Sequence, residues 1–507
     1  MTVQRRGRKV DAAHQPINQL PWGQPRLTLE PSRIVSADQL EAIHLQSLRV
    51  LQEIGMDVLY PEARDILKSA GASVAGERVR IGRDIIAHAL TTPPAEFTFH
   101  ARNPAHNIQI GGNWIAFAPV GGPPNCSDLE LGRRPGTLAD NGNFVKLSQF
   151  FNCVHTAGGG SVDALDFHAS IRHLHIMRNK VRYSDKVPFV VSTGRHRLFD
   201  SMEIARLARG ISPEQMLREP SSYTVINTNS PLKLDNPMAM GIIEMARHGQ
   251  ICVVTPFTLA GAMAPVTLAG ALVEQNAEAL AGLALSQLTK PGAPFVYGGF
   301  TSNVDMKSGA PAFGTPEYMK ACIIGGQLAR RYNLPYRTSS TNAANSVDAQ
   351  AAYETVFSLW GAIMGGGNVI QHAAGWMEGG LVASYEKFAL DADLLQMVME
   401  FLKPLDVNED TMGFEAIKEV GPGGHFFGAQ HTLARYATAF YQPMISDWRN
   451  FQQWQASGSP QAAQKANALW KKALEEYVEP AIDPAIAEEI DAFVARRSEE
   501  GGEPTDF

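Results

Sequence analysis

Short, continuously apolar runs alternate with helix-length segments between residues 140 and 405. Continuous apolarity is typical of parallel strands that are covered on both faces, and a β-then-α order predicts parallel strands joined by crossover helices. The helix-length segments include 235–247, 267–287, 315–331 and 346–364. The apolar runs predict seven strands, which are Cys153–Ala157, Pro188–Ser192, Thr224–Thr228, Ile251–Pro256, Pro294–Tyr297, Pro335–Ser339 and Asn368–His372.

These strands favour an α/β fold built on a TIM (β/α)8 barrel, with an eighth strand expected around residues 411–420. The open-sheet alternatives need a phosphate-binding loop at a switch point of the sheet. Neither GxGxxG nor GxxxxGK[ST] occurs in the chain. The sequence therefore predicts a barrel rather than an open sheet.

Four regions are predicted along the chain. Residues 1–35 form a polar leader. Residues 36–135 form a small N-terminal αβ region, with an amphipathic helix over 37–51 and short strands at Val79–Ile81 and Phe97–Phe99. The barrel covers 136–425, and a helical C-terminal extension covers 426–507.

Charge and hydropathy exclude two classes of partner. The net charge of -7 argues against a nucleic-acid protein, because phosphate binding needs clustered positive charge. The one basic cluster, Arg5 to Lys9, is short, and its flanks hold no apolar stretch of signal-peptide length, so we interpret it as part of a solvated tail. No window approaches eighteen consecutive apolar residues, so no membrane association is expected.

The four cysteines indicate a reducing compartment. Cys126, Cys153, Cys252 and Cys322 are far apart, with no CxxC pair and no metal-type spacing. We therefore expect free, mostly buried thiols and a cytoplasmic protein.

Residues at the carboxyl ends of barrel strands converge on one mouth, which places the candidate binding site there. The richest segment runs from Asn368 to Leu381, where a buried strand enters a glycine-flanked turn. Asp163 and Glu378 lie just beyond the strand ends, and the strand ends themselves hold almost no charge. The candidate substrate-binding residues are His372, Gln371, Trp376, Phe300, Tyr297, Gly298, Gly299, Phe257, Asn227 and Thr341.

This composition limits the chemistry. Glycosidase-type hydrolysis needs two facing acids, and catalytic zinc needs three His, Cys or acidic ligands. Neither constellation occurs, no GxSxG elbow is present, and we expect no bound metal and no acid–base catalytic residue. Aromatic rings with uncharged polar groups suit a cationic or zwitterionic ligand such as a quaternary ammonium. The alternative is that the same aromatic residues only fill the core.

Several long segments resemble the trimethylamine methyltransferase family. They are Val347–Glu354, Gly366–Trp376, Val420–Phe426 and the tail Leu469–Asp483, and the likeness runs from about residue 30 to 497. The resemblance implies a TIM barrel that moves a methyl group from a methylamine or quaternary amine to the cobalt of a separate corrinoid protein. It also implies cobalamin as a cofactor held by that partner.

One departure from the family pattern points to its non-pyrrolysine branch. Trimethylamine enzymes of the family carry pyrrolysine near the end of a late barrel strand, whereas this chain has only standard residues there. The best placement of that position is Ser339–Asn345. The branch without pyrrolysine acts on betaine-type quaternary amines such as glycine betaine, and we expect the same substrate class here. A carboxylate on such a substrate would be bound by His372, Gln371 or backbone N–H groups near Gly298 and Gly299.

The corrinoid is expected on a partner because this chain lacks the D-x-H-x-x-G motif of corrinoid domains. Asp166-Phe-His168 is the nearest approach, with Ile171 in place of the glycine.

We also expect a homo-oligomer. Direct methyl transfer from a related betaine or sulfonium to tetrahydrofolate, and a non-catalytic betaine-binding protein, remain open alternatives.

Overall fold

A computed structural model describes residues 16–158 and 161–504 of the 507-residue chain. The basic cluster Arg5 to Lys9 and the first half of the predicted leader lie outside the described residues, as do Gly159 and Gly160 after the first predicted strand.

Six parallel strands form the central sheet, in the order β1-β6-β5-β4-β3-β2. Strands β2 to β6 confirm five predicted strands, with ends displaced by two residues or fewer. Their continuous apolarity is expected where both faces of a parallel sheet are buried. The strands are β1 (Ala116–Phe117), β2 (Tyr223–Ile226), β3 (Ile251–Val254), β4 (Phe295–Gly298), β5 (Tyr336–Ser339) and β6 (Val369–Gln371).

The predicted strand around 411–420 is wrong. Its residues form two short helices, Glu409–Met412 and Phe414–Val420, because apolar residues there recur at helical rather than strand spacing. The sixth strand of the sheet is instead β1, from the region assigned to the N-terminal αβ part. It pairs in parallel with β6, with Ala116 opposite Val369.

Two other predicted strands approach the sheet edges without forming regular strands. Segment 153–157 bridges segment 187–190 through Thr156 and Val187, and Phe189 bridges Tyr223 of β2. The backbone N–H of His155 donates to the carbonyl of Phe117 at 2.8 Å. The architecture is therefore an α/β fold with a curled parallel sheet whose edges are approached by these segments.

The crossover helices confirm the predicted rhythm. The five helices that follow β2 to β6 each begin at a polar cap, as where the Thr315 side chain accepts from the N–H of Tyr318 and Pro316 occupies the first turn. The main helices are Ala37–Arg49, Pro61–Ser69, Arg83–Ala89, Leu138–Phe150, Arg172–Tyr183, Arg195–Arg209, Pro213–Met216, Asn236–Arg247, Leu268–Thr289, Pro316–Arg331, Ala349–Met364, Tyr385–Phe401, Gln430–Arg435, Phe451–Ala456, Ala462–Glu476 and Pro484–Glu499.

A hairpin closes the amino-terminal end of the curled sheet. Its strands, Glu96–Phe99 and Ile108–Gly111, pair antiparallel. Phe99, Ile108 and Ile110 share a buried apolar cluster with residues near the starts of the central strands, among them Ile251 and Val369. The interior is thus filled by apolar side chains at the amino-terminal end of the strands.

Smaller sheets surround this core. Three strands lie beside the carboxyl ends of β3 and β4, at Leu259–Ala260, Ser302–Val304 and Pro311–Ala312. The other short strands are Met56–Val58, Ser73–Ala75, Arg78–Arg80 and Lys233–Leu234 in one sheet, and Asn125–Asp128, Gly132–Pro135, Trp376–Met377 and Val382–Ser384 in another.

All four cysteines are free and buried, as predicted. A search of the described residues finds no helix with the length and apolarity needed to cross a membrane.

Candidate functional site

A cavity of about 400 Å³ lies at the carboxyl ends of the central strands. Its size is in the range of small-molecule pockets. Most of the residues around it come from β2, β5, β6 and the loops that follow strands, and the helix Arg172–Tyr183 adds Ile176. The lining residues are Gly121, Gly122, Asp163, Ile176, Phe189, Val191, Val225, Asn227, Phe300, Arg337, Gln371, His372, Trp376 and Gly380.

Five predicted residues lie together in this cavity: His372, Gln371, Trp376, Phe300 and Asn227. The ring of Phe257 lies behind that of Phe300, with ring centroids 5.0 Å apart. The structure places Tyr297, Gly298, Gly299 and Thr341 outside the lining.

The alternation of side chains along β4 explains why Tyr297 lies outside the lining. Successive side chains of a strand point to opposite faces, and Val296 packs with the interior cluster. Tyr297 consequently faces the helices outside the sheet, where its hydroxyl donates to Asn276 Oδ1 at 3.0 Å.

The two glycines serve packing and pairing. A Cβ on Gly298 would lie 1.9 Å from Thr255 Oγ1, so only glycine fits between these strands. The N–H of Gly299 donates to the carbonyl of Arg337 at 3.0 Å and is therefore already used by the sheet.

Trp376 is held in one orientation by a single residue. The amide Nδ2 of Asn342 donates to the carbonyl of Trp376 at 2.6 Å, and the indole Nε1 donates to the carbonyl of Asn342 at 3.1 Å. The ring of Trp376 stands edge-on to Phe300, with centroids 6.2 Å apart. Two aromatic surfaces are thus fixed against the cavity.

His372 adopts a backbone conformation that is costly for a residue with a Cβ. Its φ of 60° lies in the left-handed region, and such strain is typically found at functional sites. The imidazole packs against Trp376 with centroids 4.1 Å apart. Burial, with a smaller contribution from the charge of Arg337, holds the pKa of His372 well below its usual range, so the ring is neutral.

Arg337, on β5, is the residue that the strand-end analysis missed. It is only 2% exposed and points into the cavity. Its Nη2 lies 3.4 Å from Nε2 of His372, and its guanidinium carbon lies 5.4 Å from the centre of the Phe300 ring. Burial lowers the pKa of Arg337 to about 10, which leaves the side chain charged at neutral pH.

A signal for Arg337 was present in the sequence. It occupies the middle of Pro335–Ser339, a run predicted to be buried on both faces, where an arginine is rarely found without a partner. The interpretation that the mouth is almost uncharged is therefore wrong, because the charge lies within a strand and not at its end.

Asp163 is the only acid among the residues that line the cavity. Burial raises the pKa of Asp163 above its usual range, and Arg172 Nη1 lies 3.9 Å from its carboxylate. Glu378, the other acid predicted near the strand ends, pairs with Arg133 at 3.0 Å. Across residues 16–158 and 161–504, no group of three or more His, Cys, Asp or Glu side chains could hold a metal ion.

Comparison with known proteins gives a consistent picture. The family model described as trimethylamine methyltransferase (MTTB) matches residues 2–502. A glycine betaine methyltransferase of Desulfitobacterium hafniense is 37% identical over 471 residues, covering 93% of this chain and 98% of that protein. A trimethylamine methyltransferase of Methanosarcina mazei is 29% identical, covering 91% and 94% respectively.

A solved structure supports the fold. The monomethylamine methyltransferase of Methanosarcina barkeri matches with a TM-score of 0.50 and 12% identity, over 88% of this chain and 89% of that one. At this identity, the likeness concerns the architecture alone.

The neutral state of His372 can be tested by NMR of histidine-labelled protein. We expect its ring signals, identified by their loss in His372→Asn, to stay unchanged between about pH 6 and 8. Asparagine tolerates the left-handed backbone, so this variant should fold. In Arg337→Gln, the pKa of His372 should rise, because a neighbouring positive charge is removed. An imidazolium signal for His372 at neutral pH in the native protein would contradict the assignment.

Proposed function

Because the chain belongs to the trimethylamine methyltransferase (MTTB) family, we propose that it takes a methyl group from a quaternary amine of the glycine betaine type and passes it to the cobalt of a separate corrinoid protein. The observation that carries the proposal is the cavity at the strand ends, lined by fixed aromatic rings and a neutral imidazole. The relative that is 37% identical to this chain is named a glycine betaine methyltransferase.

The aromatic lining suits a quaternary ammonium. Ring faces attract an alkylammonium by about 0.5–2 kcal/mol each, and Phe300, Trp376 and Phe189 all border the cavity. A neutral His372 adds a polar ring without adding positive charge. Asn342 fixes Trp376, so the binding surface is formed before the ligand arrives.

The proposed reaction requires no proton transfer from this chain. A quaternary nitrogen already carries its positive charge and leaves as a neutral tertiary amine when a methyl carbon is taken, so no general acid is required. The cavity residues hold the ammonium, direct one methyl group towards the opening and exclude water, which is catalysis by positioning. The partner's corrinoid would supply the nucleophile that accepts the methyl group.

The size of the cavity and the motifs of this chain agree with a corrinoid bound by another protein. The cavity of about 400 Å³ suits a small amine rather than a corrin macrocycle, and the D-x-H-x-x-G motif is missing from the chain. We therefore assign the cofactor to a partner that docks over the opening. A cytoplasmic location fits the four free thiols.

We also propose that the curled sheet completes a TIM barrel. Segments 153–157 and 187–190 would be its second and third strands, between β1 and β2. Hydrogen bonds support this ring: His155 donates to Phe117, Ala157 to Val187 and Val190 to Tyr223, at 2.8–2.9 Å. In such a barrel, the carboxyl ends of the strands form the mouth at which the cavity lies.

Trimethylamine should not be a substrate. A neutral tertiary amine can give up a methyl group only by expelling a dialkylamide, which is a very poor leaving group unless the nitrogen is first protonated or captured covalently. The segment that stands at the best placement of pyrrolysine offers hydroxyls and amides only. Ser339 Oγ, Thr341 Oγ1 and Asn342 Oδ1 are buried and have no hydrogen-bond partner among the described residues, yet none is an electrophile. We expect cob(I)alamin methylation, followed by its absorbance, with glycine betaine and none above background with trimethylamine.

Three outcomes would count against this proposal. Comparable rates with both amines would reveal an activating group. Betaine binding without methyl transfer to any corrinoid would indicate a binding protein. Methyl transfer to tetrahydrofolate without a corrinoid would show that tetrahydrofolate, and not a corrinoid protein, is the methyl acceptor.

His372→Ala should lower betaine turnover by at least about tenfold, because small displacements of a positioned substrate are costly to rate. The melting temperature should change little, since the native residue already holds a strained backbone angle. His372→Asn separates the effect of the ring from that of the backbone. A large loss of stability with unchanged turnover in the folded fraction would assign His372 to the core.

A further inference from the structure

Arg337 is a buried cation without an acidic partner. No salt bridge of the described residues includes it, and the groups that act on its pKa are tyrosines and Cys322 rather than carboxylates. Removing a charge from water costs several kcal/mol unless a counter-charge and hydrogen bonds compensate. A charge left uncompensated in a cavity therefore indicates that a ligand supplies the compensation.

We propose that Arg337 binds the carboxylate of the substrate, so that the site takes quaternary amines that also carry a carboxylate. This inference rests on the proposed function and names the substrate class of the same site. It replaces the expectation that backbone N–H groups near Gly298 and Gly299 bind the carboxylate, because the sheet already uses the N–H of Gly299.

The guanidinium offers the donors that such a ligand needs. Its Nε and Nη1 atoms are buried and have no hydrogen-bond partner among the described residues. Nη2 donates to Nε2 of the neutral His372 at 3.4 Å, which restrains the plane of the fork. Nη2 carries a second N–H, which pairs with Nε or with Nη1 along one edge of the planar guanidinium, so one edge keeps two donors that match the geometry of a carboxylate.

His372 adds a further donor. Because its Nε2 accepts from Arg337, the ring proton resides on Nδ1, which is buried and has no hydrogen-bond partner among the described residues. Arg337 and His372 thus form one donor group on β5 and at the end of β6. The aromatic rings of Phe300 and Trp376 lie beside this donor group. They give the ammonium end of a zwitterion a binding surface of its own.

Charge then selects among quaternary amines. A ligand with an ammonium group alone would bring a second positive charge into a cavity that already holds Arg337, at low local dielectric. A betaine brings its own negative charge and neutralises the guanidinium. Choline and tetramethylammonium should accordingly be excluded even though their trimethylammonium groups have the same shape.

Ligand binding without turnover tests this proposal independently of methyl transfer. Isothermal titration of the full chain should detect glycine betaine but neither choline nor tetramethylammonium. Arg337→Gln should weaken betaine binding by about a hundredfold, the typical effect of truncating a buried charged partner. Arg337→Lys should recover only part of the affinity, because it retains the charge and loses the fork. Arg330→Gln is the matched control, since that arginine bonds backbone carbonyls outside the cavity.

A second readout distinguishes ligand recognition from a structural role. Ligand-free Arg337→Gln should melt at the same temperature as the native protein or higher, because an unpaired buried charge is removed. The proposal is overturned if choline binds as well as betaine, or if Arg337→Gln binds betaine within about threefold of the native protein. Betaine binding that depends on Arg337, without methyl transfer, would refute the proposed function while supporting this inference.

A second, independent observation concerns residues 405–440, here called the arm. The arm contains the family-like segment Val420–Phe426, yet its large apolar side chains are exposed to solvent. The most exposed are Leu405, Phe427, Tyr436 and Phe440, at 74–87%. Within the described part of the chain, the hydrogen bonds and ion pairs of the arm stay inside it.

The arm is also poorly packed on itself. A groove of about 890 Å³ runs between the helices Glu409–Met412 and Phe414–Val420 on one side and Gln430–Arg435 on the other. Just beyond the arm, the hydroxyl of Tyr441 and the N–H of Met444 donate to Asp393 and hold the chain to the core.

We infer that a second copy of this chain covers the arm. Ten exposed large apolar side chains in the arm present on the order of 1,000 Å² of surface, beyond the roughly 300–600 Å² of the largest patch on a typical monomer. That area matches one side of a stable protein interface. A methyl-accepting partner must leave after each turnover, which favours a smaller and more polar contact.

Light scattering after size-exclusion chromatography tests the inference. The native protein should be an oligomer. The double variant Phe427→Asp with Phe440→Asp should be a monomer and should keep the melting temperature of the central α/β fold. Val478→Asp, an exposed apolar position outside the arm, is the control and should remain oligomeric. A monomeric native protein, an oligomer that survives the double variant, or association only on adding a corrinoid protein would each overturn it.

Discussion

A guanidinium with no counter-ion among the described residues lies on a strand at the centre of the sheet, and the cavity is arranged around it. Arg337 lies on β5 between β4 and β6, where Gly298 leaves room for close strand contact and the hairpin Glu96–Phe99 with Ile108–Gly111 closes the space below. With the amino-terminal end filled by apolar side chains, the charge can be compensated only from the carboxyl ends of the strands. In the proposed function, the desolvation cost of this charge becomes binding specificity, because the carboxylate of the substrate compensates it.

The second requirement is rigidity around that charge. Asn342 holds Trp376 by two hydrogen bonds, and the N–H of Gly375 donates to Asp391, which forms a buried ion pair with Lys387. These contacts fix the turn in which His372 takes its left-handed backbone angle. The strain is local, and the surrounding hydrogen bonds and packing maintain it. In the proposed function, these contacts hold the cavity ready for the substrate.

The proposed chemistry explains why the cavity has so few titratable groups. Taking a methyl group from a quaternary nitrogen needs no proton transfer, so an acid–base pair would bring desolvation cost without benefit to the rate. A neutral His372, a single buried arginine and aromatic rings suffice to orient a zwitterion and keep water away. Asp163, the acid at the cavity, lies 3.9 Å from Arg172 Nη1 and forms no ion pair with Arg337 among the described residues.

The sequence by itself determined the α/β rhythm, five of the six central strands and the end of the sheet at which the candidate cavity lies. These follow from local apolar runs and from the rule that parallel strands place their carboxyl ends together. Only the tertiary structure decided which side chains face the cavity. In strands apolar on both faces, hydropathy does not distinguish inside from outside, so Tyr297 was expected within and Arg337 was overlooked. The two-residue strand β1 was beyond prediction for a related reason, because Ala116 and Phe117 carry no periodicity and become a strand only through pairing with β6.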